Sequence, residues 1–575
     1  QRKPQQGSVA LEAPADLQDF NGFGGFDAHG EYVIWLPAGA ATPAPWCNVL
    51  ANESFGSVVG ESGGACSFAG NAHEFRLTPW HNDPVGDPSG EAFWLRDEEN
   101  GEFWSPTPMP TPSGDPHRIT HGFGCTRHEH AHADIVSELS VFVALESPVK
   151  LSLLKLRNAG ARPRRLSVTG YVEWVLGERR ARTAPHLHTR VDPLSGAMLA
   201  GNFYNDAFAQ RVAFHAVDAV SPARSGDRRA FIGRNRDLKS PAAMLQAELD
   251  GAIGTGLDPC SALRVQVELQ PGQEIELAFA LGAAEDVDGA RAILRELGGA
   301  KAARAELQRV REHWRAQLDR IVVRTPDARS DRLVNGWLPY QVLASRVLAR
   351  SGFYQSGGAW GFRDQLQDVM ALLHARPDLA RAQLLRCAAH QFREGDVLHW
   401  WHPPGGRGVR TRISDDFLWL PWATALYVET TGDAGVLDET MPFIEGRPLG
   451  ADEESVYDSA QASLESGSLY AHCVRAIRHG LRFGEHGLPL IGGGDWNDGM
   501  NRLGHLGRGE SVWLGFFLHE VLARFAALAE ARGDGGNASQ WRGAAATLAQ
   551  SIEQHGWDGA WYRRAYADDG TPVGS

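Results

Sequence analysis

The sequence lacks several features that would have narrowed it at once. Its six cysteines (Cys47, Cys66, Cys125, Cys260, Cys387, Cys473) are scattered, with no CxxC pair. That excludes a disulfide framework and suits a reduced, cytoplasmic protein. No run of about 18 uncharged apolar residues is present, so no segment is expected to insert in a membrane. The chain starts at Gln1 without Met and without a charged-then-apolar leader, which points to a segment of something longer. Positive charge is also short. A net charge of -14 argues against a nucleic-acid or anionic-membrane surface.

What remains is long and otherwise ordinary. At 575 residues, 43% hydrophobic and 22% charged, the chain has room for two or more domains. Its 18 tryptophans suit a protein that stacks sugars on flat rings, although large β-rich cores consume tryptophan too.

Residues 1–19 read as a polar arm. From Phe20 to residue 284 the pattern is β. Runs such as Tyr32–Leu36, Val141–Leu145, Leu151–Leu156 and Leu263–Leu269 alternate or stay apolar between Gly, Pro, Asn and Asp, as in a large antiparallel sandwich. Within this region His128-Glu129-His130-Ala131-His132 would put three imidazoles on one strand face. A metal there is conceivable, but no fourth ligand is evident, and a polar sheet face or rim is expected instead. Residues 285–325 read as a helical linker broken at Gly298-Gly299, with a short strand at Ile321–Arg324. Residues 326–575 read as helices: Ser330–Leu348 with a kink at Pro339, Gln365–Leu373, Pro377–Phe392, Phe417–Glu429, Ser455–Leu481, Val512–Ala531 and Gln540–Gln554. Helices in series with loops rich in Gly, Trp, Asp and Arg suggest a ring of helix pairs with its site at one mouth. About seven or eight helices fit this stretch, fewer than six pairs need, so the ring is expected to be incomplete.

Three loops carry the chemistry. The densest is Gly492-Gly493-Gly494-Asp495-Trp496-Asn497-Asp498-Gly499-Met500-Asn501. Glycines permit a tight loop, and a carboxyl beside an indole sits in apolar surroundings that favour its protonated form near neutrality. A general acid for a glycosidic oxygen needs that state. The plain alternative is a surface turn with a capping Asp. The second loop runs from Arg350 through Gly357-Gly358-Ala359-Trp360-Gly361 into Phe362-Arg363-Asp364-Gln365-Leu366-Gln367-Asp368. Asp364 and Asp368 stand at i, i+4 and share a helical face. A carboxylate there can accept two sugar hydroxyls, and a nearby arginine can grip phosphate or carboxylate in a fork. Otherwise Asp364 is a cap and Arg363–Asp368 a local ion pair. The third loop joins His399-Trp400-Trp401-His402 to Arg410–Asp416. Trp400 and Trp401 suit the wall of a sugar subsite or, equally, a core. Asp415 or Asp416 could bond hydroxyls or cap the next helix.

Taken in order, RSGFYQSGGAWGFRDQLQD, HWWHPP with TRISDD, and GDWNDGMN followed by Glu510–Trp513 resemble glycoside hydrolase family 94, the inverting β-glucoside phosphorylases. Within it they look most like the carboxy-terminal phosphorylase-like region of cyclic β-1,2-glucan synthases. Asn21–Phe26, Thr42–Trp46 and Leu77–Pro84 agree. The resemblance implies an N-terminal β-supersandwich, a helical linker and an (α/α)6 barrel whose last part is absent here. It implies that Asp498 is the general acid, that Trp496 and Asp364 bind the non-reducing-end glucosyl unit, and that Arg350 contacts phosphate. Arg363, Asp368, Asp495, Trp400 and Trp401 join them as substrate-binding candidates. The Gly-rich loop is shorter than in cellobiose phosphorylases, and a second arginine expected there is replaced by Gly358 or a neighbour. The family's later phosphate contacts, a histidine and a Thr/Ser-Gly loop, have no counterpart in this sequence.

The function expected is inverting phosphorolysis of a β-glucan, with inorganic phosphate as co-substrate and no metal or other cofactor. The β-1,2 linkage comes from the resemblance alone, as do a homodimer and a place on the cytoplasmic side of the inner membrane within a larger synthase. An inverting hydrolase or transglycosidase and a non-catalytic glucan-binding region that limits chain length are the alternatives. This chain by itself is expected to be weakly active or inactive.

Overall fold

The computed structural model describes residues 9–450 and 452–574, so part of the expected N-terminal arm lies outside the described residues. Packing divides the chain into two compact units, one ending at Gly358 and the other beginning at Ala359. The first helices after the linker therefore belong to the N-terminal unit.

That unit is built on two large antiparallel sheets and a smaller one of three strands, Cys47–Ala51, Phe55–Gly60 and Ala65–Ala69. A ten-stranded sheet runs in the order Gly24–Phe26, Tyr32–Leu36, His117–Gly122, Cys125–His132, Ile135–Val143, Val149–Asn158, Glu274–Ala284, Val212–Val217, Met198–Asn202, Leu187–Val191. A five-stranded sheet runs Ala223–Asp227, Pro259–Leu269, Arg164–Glu173, Glu91–Asp97, Phe103–Trp104. Alternate residues of both sheets, among them Leu139, Val141, Leu154 and Leu156 on one and Leu166, Val168, Leu263 and Val265 on the other, make one apolar core. This is the period-2 burial that the sequence alternation predicts.

The histidine strand is correctly placed, but its face is buried rather than a polar rim. His128 is 1% and His130 0% exposed. His130 stacks on His117 at 4.1 Å and bonds Ser113. Burial pushes the imidazoles of His117, His128, His130 and His215 down to about 3, because desolvation penalises the charged form. A depressed histidine pKa means that stability is full above the unfolded value of about 6.5 and is lost as pH falls towards the folded value. We expect the unfolding free energy of this unit to drop below pH 6.5 by up to about 1.4 kcal/mol per pH unit for each such histidine. Urea midpoints measured from pH 7.5 to 4.5 check this, and His128→Leu should flatten the slope by about one proton.

The linker folds as Val287–Leu297 and Ala300–Leu318, broken at the two glycines as expected. The expected strand at Ile321–Arg324 does not form. Val323 is held instead by the Asn335 side chain, which accepts from its N–H at 2.7 Å and donates to its carbonyl at 2.7 Å. The following helical run, Ala328–Ala349, contains π-helical turns at Leu333–Trp337 and Val342–Ala349. Tyr340, 1% exposed, anchors it to the sandwich. Its hydroxyl takes the Gly124 N–H and reaches Asn48 Oδ1 at 2.9 Å.

The Gly-rich loop after this helix is strapped to the sandwich. Arg76 donates to the Ser356 carbonyl at 2.6 Å, Asn71 to the Gly358 carbonyl at 2.9 Å, and the Trp80 indole to the Phe353 carbonyl at 2.8 Å. Gly358 has φ +59°, and a Cβ there would lie 2.2 Å from Asn71 Oδ1. A side chain at this position would be strained and would clash, so glycine is the residue that fits. Gly358→Ala should cost about 1–3 kcal/mol of this unit's stability, the usual size of such backbone strain, read by thermal melting.

The C-terminal unit is helical, with small sheets between the helices. Its main helices are Phe362–Met370, Pro377–Ala388, Trp419–Thr431, Leu469–Gly480, Val512–Ala531 and Gly535–Ser551. The expected helix Ser455–Leu481 is half wrong. Ser455–Ser459 and Gln461–Ser468 are strands paired to Arg407–Thr411 and Thr440–Glu445, and the helix starts only at Leu469. Val512–Ala531 is long and apolar enough to cross a membrane by length and composition, although it carries Glu520 and Arg524, and half of its most apolar window is buried within the protein.

Candidate active site

The candidate residues of the C-terminal unit converge through backbone pairing of two loops far apart in sequence. The Gly493 N–H donates to the Arg412 carbonyl at 2.9 Å, and Ser414 donates through both its N–H and its hydroxyl to the Gly494 carbonyl at 2.9 Å. Gly492 has φ +59°, and a Cβ there would meet the Arg412 carbonyl oxygen at 2.3 Å. The glycines thus serve a close approach of backbones.

Asp495 secures this loop from beneath. It is 0% exposed, accepts from the Ser511 hydroxyl at 2.6 Å and from Arg564 at 2.5 Å, and also takes the Asn497 N–H. Ser511 in turn caps Val512–Ala531 by accepting from the Leu514 N–H, a usual N-cap arrangement. The structure thus places Asp495 in a buried bracket, not in an open subsite.

Past this bracket the loop turns outward. The Trp496 ring is 54% exposed, with its indole N–H on Gln367 Oε1 at 3.3 Å. The Asp498 side chain is 55% exposed and begins a short 3-10 turn. The expected apolar pocket around this carboxyl is not found. A guanidinium faces it instead.

That guanidinium is Arg363, the second residue of the helix Phe362–Met370 and only 7% exposed. It donates to Asp415 Oδ1 at 2.8 Å, to the Asp495 carbonyl at 2.9 Å and to Asp498 Oδ1 at 2.5 Å, with Asp416 Oδ1 at 3.6 Å. Burial opposes its charge, but Asp415, Asp416 and Asp498 outweigh burial and hold its pKa above the ordinary arginine value. Arg363 is therefore the hub that fixes Asp498. Its neighbour Asp364 is exposed, while Asp368, one turn on, is half-buried.

The two carboxylates of the third loop are structural partners of the hub. Asp415, 0% exposed, also accepts from the Trp419 indole at 2.9 Å. Burial and the adjacent Asp416 push its carboxyl up to about 7, against the pull of Arg363. Asp416 bonds His399 Nδ1 at 2.8 Å, and the other ring nitrogen, Nε2, lies 3.7 Å from Asp498 Oδ2. Burial lowers the pKa of His399, but Asp416 and Asp498 raise it more.

The paired tryptophans separate. Trp401 is 2% exposed and stacks on His390 at 3.8 Å, as core. Trp400 is half-buried, with its ring beside Tyr457 at 5.5 Å and His402 at 5.3 Å. Arg350, in the N-terminal unit, closes the helical run Ala328–Ala349 in the left-handed region at φ +49°. The sequence places His399 only as a histidine flanking the paired tryptophans in a sugar-subsite wall, and it does not single out Arg564 or the bracketing role of Asp495. No local signal marks Arg564, which lies 69 residues from its partner.

The profile described as "Glycosyl hydrolase 94, supersandwich domain" matches residues 30–299, and that of the "Glycosyl hydrolase 94 superfamily, catalytic domain" matches residues 313–575. The chain belongs to glycosyl hydrolase family 94. Its sandwich followed by a helical domain is the family's architecture. Among relatives of this glycosyl hydrolase family 94 chain, a cyclic β-(1,2)-glucan synthase of Rhizobium meliloti is 43% identical over 97% of the chain and 20% of the synthase. A solabiose phosphorylase of Paenibacillus borealis is 29% identical over 96% of the chain and 69% of the phosphorylase. An N,N'-diacetylchitobiose phosphorylase of Vibrio furnissii is 28% identical over 96% of the chain and 71% of that enzyme. The chain thus spans a fifth of the synthase and about seven-tenths of the two phosphorylases. Among solved structures, a bacterial glucoamylase complexed with acarbose superposes with TM-score 0.52 at 9% identity, over 95% of the chain and 69% of the glucoamylase, a likeness of fold.

Proposed function

We propose that this chain carries the phosphorolytic centre of a β-glucan enzyme. In this reading it transfers the non-reducing-end glucosyl unit of a β-linked glucooligosaccharide to inorganic phosphate, giving α-glucose 1-phosphate with inversion. The observation that carries the reading is an accessible carboxylate, Asp498, fixed by the buried Arg363 beside an exposed indole. Asp498 protonates the glycosidic oxygen. Trp496 and Asp364, both exposed, hold the glucosyl ring and its hydroxyls, and Arg350, in the N-terminal unit, is the candidate for phosphate that the family resemblance supplies. Phosphate is the nucleophile, so no second catalytic carboxylate is needed. A hydrolase of the same stereochemistry would need one about 6.5–9.5 Å away to activate water. The names of the relatives support both the sugar and the phosphate, and the synthase relative favours the β-1,2 linkage.

The test is a panel of β-1,2-, β-1,3- and β-1,4-glucooligosaccharides, with and without phosphate, assayed on the full-length protein carrying this chain. Glucose 1-phosphate from the β-1,2 series, formed only with phosphate, is the expected outcome. Free glucose released without phosphate would make it a hydrolase, and binding without cleavage of any member would make it a glucan-holding region.

A further inference from the structure

We propose that His399, anchored by Asp416, is the positioning residue that aligns Asp498 and returns its proton between turnovers; this rests on Asp498 being the general acid. Asp498 is held in an ion pair with Arg363, and an ion-paired carboxylate has no proton to give. A proton donor must therefore reach its other oxygen. That oxygen, Oδ2, faces His399 Nε2 at 3.7 Å. An apo site commonly leaves such a contact loose, and a shift of about 1 Å in the exposed carboxylate brings it to bonding distance.

The tautomer is set from behind. Asp416, 2% exposed, accepts from His399 Nδ1 at 2.8 Å. An ionised carboxylate only accepts, so Nδ1 carries a hydrogen and Nε2 is the nitrogen that gains and loses one. Asp416, Asp498 and Arg363 are the charged groups that act on this ring, from the turn after the third loop, the Trp496 loop and the helix Phe362–Met370. Two carboxylates against one guanidinium favour the imidazolium. The ring is 17% exposed, enough to exchange protons with water.

The step balances. Asp498 O–H gives its proton to the glycosidic oxygen as the C–O bond breaks and its electron pair stays on that oxygen, while a phosphate oxygen bonds to the anomeric carbon. The imidazolium passes its Nε2 proton to Asp498 Oδ2 and becomes neutral. The new phosphate ester still carries the proton of hydrogen phosphate, and its release through water recharges the ring. Hydrogen phosphate and glycoside thus become ester dianion and free hydroxyl, with the relay unchanged.

Two measurements test this. In the full-length protein, His399→Gln should lower kcat for phosphorolysis about 10–100-fold with KM within about twofold, and remove one ionisation from the pH–rate profile. His399→Asn, whose amide can keep the Asp416 bond, should share that profile. A wild-type profile in His399→Asn would reduce the residue to a structural role and overturn the proposal, as would a change in KM alone. The second measurement needs no turnover. NMR titration of the His399 ring should show its midpoint falling by about half a pH unit or more in Asp498→Asn, and an unchanged midpoint overturns the relay. Absence of glucose 1-phosphate from the wild type would instead sink the assignment of function, leaving the titration to judge the coupling.

Discussion

Asp498→Asn is expected to lower phosphorolysis about 10²–10⁴-fold, the usual contribution of a general acid, while leaving the fold intact. Asparagine keeps the shape and can still accept from Arg363, but it has no acidic proton for the leaving oxygen. The side chain is 55% exposed, so little packing depends on it, and the melting midpoint should stay within about 2 °C of wild type, in line with surface substitutions. Loss of activity with unchanged melting separates a chemical role from a structural one. If the variant turned over at the wild-type rate, Asp498 would not be the acid.

The second large effect lies one residue inward. Arg363 is 7% exposed and ion-pairs with Asp415, which is wholly buried. Arg363→Met keeps much of the volume and leaves the buried Asp415 without its cation. Removing one partner of a buried pair typically costs about 3–5 kcal/mol, which corresponds to a fall in melting temperature of roughly 6–20 °C for a domain of this size. The sign of its pH dependence follows from Asp415, whose carboxyl burial already pushes up to about 7. A raised carboxyl pKa gives stability that is full at low pH and lost as pH rises through the folded value. Arg363 pulls that carboxyl's pKa down, so its loss raises it further, and the damage in Arg363→Met should grow with rising pH and ease as Asp415 takes a proton. Adding Asp415→Asn should recover part of the loss, and a double-mutant cycle by thermal melting measures how much. A variant melting like wild type at pH 8 would show that Arg363 is not the hub.

Much of this was legible in the sequence, for identifiable reasons. The sandwich strands at Tyr32–Leu36 and Leu263–Leu269 announce themselves as apolar or alternating runs bounded by turn residues. The linker break at Gly298-Gly299 is equally local. Ser455–Ser468 was misread because its serines, alanines and acidic residues carry no strong period, and partner strands at Arg407–Thr411 and Thr440–Glu445 decide its conformation. At the site, the motifs revealed which residues matter but not who holds whom. Arg363 meets Asp415 across 52 residues and Asp498 across 135, and no sequence spacing encodes such a choice. The same holds for Trp400 and Trp401, adjacent in sequence yet split between a half-buried face and the core.

In the proposed reaction an inorganic anion attacks while Asp498 supplies the proton. It is tested most directly by following a β-1,2-glucooligosaccharide with the full-length protein in phosphate by ³¹P and ¹H NMR. α-Glucose 1-phosphate is expected to accumulate as the first product, in step with loss of glycosidic bonds, and none is expected to form in Asp498→Asn. Appearance of the β anomer, or bond cleavage at an equal rate with phosphate removed, would contradict it.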